Sequence, residues 1–159
     1  MIQDLSSLIQ KTGTFVCRNY VPPQERGLIF YQTEIYPSED DLKAELGPTF
    51  SQVLFKYIRQ KSISETECYK RSNIDRRLFS KIRSDKNYQP NKATVLALIF
   101  GLKLTRDEAN HLMKVSGYSL SSSIKRDLVL IYLLRQQVYD INVVNEVLHS
   151  LNLKTLGPK

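Results

Sequence analysis

Beyond Pro48 the chain is punctuated by helix-starting residues at short intervals, and that spacing constrains the fold more than any other feature. Ser64–Glu67 (SETE) and Thr105–Glu108 (TRDE) both have the capping-box pattern. In that pattern a hydroxyl accepts a free N–H of the first turn, and a glutamate three residues on reaches back to the cap. Asp75 and Asn91 suit the role of single caps. These starts divide the chain into helices of about ten residues, too short to persist alone in water. They must pack against one another, so an all-helical bundle is the expected outcome from residue 49 onward.

Apolar spacing fills in the elements. Phe50, Val53, Leu54, Tyr57 and Ile58 recur at helical intervals and predict a first helix over about residues 50–61. A short second helix runs from the Ser64 cap to about Arg71. Asn73 suits the following turn, because asparagine tolerates positive φ better than most residues. Ile74 then plugs the core and Asp75 opens a third helix. After the Tyr88-Gln89-Pro90 break, Asn91 starts an apolar fourth helix, KATVLALIFGL, and Thr105 a fifth that ends near Gly117. A longer helix over about residues 122–137 carries apolar residues on more than one side, and a last amphipathic helix covers about 141–151. Leu128, Ile131 and Leu134 on the longer helix are candidates for a dimer interface.

Residues 1–48 read differently. TGTFVCRNYV and LIFYQTEIY are rich in β-branched and aromatic residues around VPPQERG, which predicts a hairpin about Pro22–Gly27. A short helix started by Ser38 and stopped by Gly47-Pro48 follows. The expected organisation is thus 1–48, a hairpin plus short helix, and 49–159, the bundle with its helical extension. The hairpin is also a candidate surface for a protein partner.

The formal charge of +7 is unevenly spread: residues 49–90 hold 10 basic and 4 acidic side chains, net +6, whereas residues 1–48 hold 4 and 7, net −3. The excess peaks in the third helix, where Arg76, Arg77, Lys81 and Arg83 occupy four of ten positions between Asp75 and Ser84. At about 100° per residue Leu78, Phe79 and Ile82 share one arc. The opposite arc centres on Arg77, Ser80 and Ser84, with Arg76, Lys81 and Arg83 on its flanks. Small hydroxyls at the point of closest approach, with long cations beside them, suit entry into a DNA major groove about 12 Å wide.

Two short helices joined by a tight turn and framed by others form the helix-turn-helix pattern. Residues of about 50–117 resemble the lambda-repressor-like (Xre-type) domain. The likeness is carried by Ile63-Ser64, Ile74, Phe79-Ser80, Ile82, Pro90 and VLALIFGLKLTRDEA. The stretch IDRRLFSKIRS also resembles a helical module at the C-termini of some bacterial macro-domain proteins, over about residues 49–157. The first resemblance implies a mostly α fold: a lambda-repressor-like bundle with two extra C-terminal helices and an N-terminal β-hairpin appendage. It implies sequence-specific binding of double-stranded DNA by a cytoplasmic homodimer acting as a transcriptional regulator. Arg77, Ser80 and Ser84 would then contact bases, and Ser64, Arg76, Lys81, Arg83 and Lys86 phosphates. Two positions depart from the family pattern: Glu65 stands where glutamine is usual and Tyr69 where a small alanine is usual. The alternative from another class is a non-enzymatic adaptor whose basic face meets an acidic protein, in bacterial or phage defence or counter-defence.

Raw material for catalysis is thin. His111 and His149 lie on separate helices without metal-ligand spacing, and the sequence has no glycine-rich phosphate loop. Cys17 and Cys68 are far apart and read as thiols in a reducing compartment. No apolar run approaches the roughly 18 residues of a membrane span. No enzyme, metal or cofactor is expected.

Overall fold

The computed structural model describes residues 39–157. The chain divides between Leu46 and Gly47 into two units. Of the first unit only α1, Glu39–Glu45, lies within the described residues. The hairpin expected about Pro22–Gly27, Cys17 and the Ser38 cap lie outside them. α1 begins on Glu39, Asp40 and Asp41, where a helix dipole favours negative charge, and buries no side chain. Lys43 pairs with Glu39 at 3.2 Å and Asp40 at 3.8 Å.

In the second unit all regular structure among the described residues is helical: α2 Phe50–Gln60, α3 Glu65–Arg71, α4 Arg76–Ser84, α5 Lys92–Gly101, α6 Arg106–Val115, α7 Lys125–Arg135 and α8 Ile141–Ser150. The starts follow the caps. Asp75, Asn91 and Thr105 each accept a first-turn N–H, and Thr105 and Glu108 form the full reciprocal box. Ser64 accepts the N–H of Glu67, but the Glu67 carboxylate faces Arg71 at 2.5 Å instead of reaching back. A further box, Thr49 with Gln52, starts α2.

The helix ends share one construction. After α2, α3, α5, α6, α7 and α8 a residue takes positive φ: Ser62, Asn73, Lys103, Gly117, Gln137 and Asn152. In each case the next residue returns its N–H to a carbonyl five positions back, as Ile74 does to Tyr69 at 2.9 Å and Leu104 to Ile99 at 3.1 Å. This is the Schellman motif, which satisfies carbonyls left open at the last turn and presses an apolar residue past the end onto one inside. Only α6 uses glycine for it. Among the helices of this unit α4 alone ends otherwise, on Asp85 in an extended conformation.

α5 is the centre. Every residue from Thr94 to Gly101 is buried, because α5 packs against α3, α6 and α8. α7 is shorter than the 122–137 expected. The buried Asp127 carboxylate takes the N–H of Ser121 at 3.0 Å and the Lys92 ammonium at 2.6 Å, and this holds residues 121–123 as a turn outside the helix. No helix among the described residues is long and apolar enough to cross a membrane.

Candidate functional site

The charge-dense stretch becomes α4, and its underside explains its placement. Phe79 and Ile82 are buried. The Phe79 ring meets Phe55 edge-on at 5.9 Å and Tyr69 at 5.7 Å. The bulk of Tyr69 is therefore used as a spacer between α3 and α4. From α2, the buried Ser51 hydroxyl donates to the Ile82 carbonyl at 2.6 Å, satisfying a carbonyl in the last turn of α4. At the other end Asp75 accepts the Arg77 N–H at 2.6 Å. Asn73, at φ 50°, makes the turn from α3, with Ile74 buried behind it.

The structure brings the predicted base- and phosphate-contact residues onto one region but differentiates them. Arg76, Arg77, Lys81, Arg83, Ser84 and Lys86 are exposed. Among the described residues the side-chain head groups of Arg76, Arg77 and Lys86 have no ion pair or hydrogen bond. Lys81 lies over the Tyr88 ring, 4.8 Å from its centroid, which tethers the ammonium beside the helix. The Ser84 hydroxyl donates back to the Lys81 carbonyl at 3.4 Å. Ser80 is only half-exposed. α3 leans over it, and it lines a cleft of about 270 Å³ with Glu65, Tyr69, Arg76, Phe79 and Arg83. The exposed centre of α4 thus moves from Ser80 toward Arg77, Lys81 and Ser84. Arg83 donates to Glu65 at 3.0 Å, a cross-helix pair that the wheel of α4 alone could not show. Ser64, the remaining phosphate candidate, is exposed at the start of α3, its oxygen already accepting the Glu67 N–H at 3.1 Å.

The dimer candidates separate. Leu128 is 49% exposed, with Tyr132 one turn on along α7 and Ile124 one turn back at its N-cap, whereas Ile131 is half-buried. Leu134, at 5% exposure, lies in the chain's own core with Leu130 and Leu133, because α7 packs that side against α8.

The other singled-out groups have structural surroundings. Cys68 is fully buried, and that burial pushes its thiol up to about 12, far from a reactive thiolate. His111 shares a 2.8 Å hydrogen bond with the Tyr57 hydroxyl, and His149 is exposed on α8. No group of three or more His, Cys, Asp or Glu side chains among the described residues is placed to hold a metal ion. A larger cleft of about 440 Å³ lies where α3 and α5 end and α8 begins, lined by Lys70, Lys103 and Tyr139. Asp140, at its edge, already occupies the start of α8 by accepting the Asn142 N–H at 2.8 Å. In comparisons with protein-family models, curated proteins and solved structures, nothing matches the chain.

Proposed function

We propose that α3 and α4 act as a helix-turn-helix of the lambda-repressor-like kind, that α4 enters the major groove of double-stranded DNA, and that the chain regulates transcription as a homodimer. The observation that carries this reading is the outer side of α4. Arg76 and Arg77 extend from a helix anchored by Phe79 and Ile82, with no acidic partner among the described residues. Cations held out on a rigid element and left unneutralised are what a polyanion requires. Arg77 reads a guanine edge through two parallel N–H donors. Arg76, Lys81 and Lys86 contact phosphates, which position the helix without specifying sequence.

A monomer neutralising about four phosphates binds weakly at physiological salt, because counterion release fades as salt rises. Dimers of this kind read two half-sites about 34 Å apart, and the outward side of α7, Leu128 with Ile131 at its edge, is where two copies would pair. The reading includes no chemical step and no cofactor.

The test is a gel-shift with DNA from upstream of the chain's own coding sequence against random duplex at two salt concentrations. The upstream fragment should be retained in preference. Arg77→Ala should cost about 1–3 kcal/mol and relax the choice at one base pair. Unchanged affinity and unchanged site choice in that variant would overturn the assignment. Equal retention of all duplexes would instead favour the adaptor reading, in which the same face meets an acidic protein.

A further inference from the structure

Residues 49–90 contain four acids among ten cations, and the structure gives them different tasks. Asp75 caps α4 through the Arg77 N–H at 2.6 Å, and Asp85 accepts the Asn87 N–H at 3.0 Å in the turn after α4. Glu67 pairs with Arg71 one turn along its own helix at 2.5 Å. Glu65 alone crosses between helices, from the first position of α3 to Arg83 on α4, 18 residues away, at 3.0 Å. It does so at the rim of the cleft that also holds Arg76 and Ser80, inside the cationic face and not beside it.

We propose that Glu65 is a built-in competitor for the polyanion: its carboxylate occupies the Arg83 guanidinium and sets how strongly this face takes a phosphate backbone. The proposal rests on the face being a polyanion surface, and it names how that surface is regulated. Both partners are solvent-accessible, Glu65 41% and Arg83 60% by side chain. An exposed pair of this kind contributes little to stability, so an arriving phosphate can exchange with it. The exchange is not free, because the released carboxylate stays next to the incoming negative charge. Glu65 therefore holds Arg83 in a defined direction and lowers retention on any polyanion that supplies only diffuse charge. Lys81 has no such competitor, since its neighbour is the uncharged Tyr88 ring.

The full chain is compared with Glu65→Gln, Arg83→Ala and the double variant, on a heparin column and on a 20-base-pair duplex across a salt series. Glu65→Gln should elute from heparin at higher salt and bind the duplex about 3- to 10-fold tighter at low salt. Its plot of log K against log salt should steepen by about 0.9, one additional neutralised phosphate. On the Arg83→Ala background the same substitution should give a distinctly smaller gain, because it then removes only the carboxylate's repulsion and frees no guanidinium. Unchanged or weaker binding in Glu65→Gln overturns the proposal. An equal gain with and without Arg83 also overturns it, since that is general charge repulsion. Heparin retention that follows this pattern without duplex binding would keep the competitor and reject the DNA reading.

Discussion

At the scale of single residues, the tightest constraint lies at Gly101. A Cβ there would sit 2.8 Å from the backbone nitrogen of Ser72 and closer still to its hydroxyl, so α3 and α5 approach only because that position has no side chain. Alanine is the better helix former, yet Gly101→Ala should lower stability by about 1–3 kcal/mol through overpacking, read as a fall in the urea midpoint. A midpoint that rises would mean the two helices separate more easily than this geometry allows. Glycine inside a helical pattern reads in the sequence only as a weak helix former, and the fourth helix is expected from its Asn91 cap and its apolar run. The close approach involves Ser72, 29 residues earlier, and was not legible. Asn73 was, because its tolerance of positive φ is a property of the residue itself.

At the scale of elements, the capping residues set where helices start, and one cap also joins two helices. Glu108 accepts the Thr105 N–H at 2.8 Å and the Lys61 ammonium at 2.9 Å, tying the start of α6 to the end of α2. Burial alone would raise its carboxyl, but the hydrogen bonds from Lys61 and Thr105 outweigh that and hold it below the usual glutamate value. A carboxyl whose folded pKa is depressed contributes stability that is complete above its unfolded pKa, near 4.3, and fades as pH falls through the folded value. Wild type should therefore lose more stability between about pH 7 and pH 3 than Glu108→Gln does, measured as urea midpoints at the two pH values. Parallel losses in the two proteins would show that the Lys61 link does not survive in solution. The helix ends were harder to read than the starts. Five of the six Schellman ends use Ser62, Asn73, Lys103, Gln137 or Asn152 in place of glycine. Their signal is an apolar pair five residues apart, such as Ile58 with Ile63 or Leu133 with Val138, which becomes visible only once the helix is known.

At the scale of the second unit, the segment after α8 connects parts that the helices alone leave separate. Asn145 of α8 donates to the Leu156 carbonyl at 3.1 Å and accepts its N–H at 2.7 Å, while Arg126 of α7 donates to the Thr155 carbonyl at 3.0 Å. Leu156 is 2% exposed, and a Cβ at Gly157 would lie 3.2 Å from the Asn73 carbonyl. The segment thus packs beside the turn that orients α4. Leu156→Ala should cost about 2–5 kcal/mol in unfolding free energy. It should also speed hydrogen exchange at the Asn73 amide, which bonds to the Lys70 carbonyl at 3.1 Å. Unaltered stability would show that the segment does not dock.

The side-chain-capped helix starts (that of α7, on Ile124, is not one), the buried stripe of α2 and the cationic character of α4 could be read from the chain alone. A cap acts over three residues and an amphipathic stripe over one or two turns, so the relevant groups are neighbours in the chain. The commitment of Leu134 to the core, the partial cover over Ser80, the Glu65–Arg83 pair and the docking of Leu156 could not. Each depends on groups from separate helices, and which helix leans on which is set by how the unit fills its core around α5.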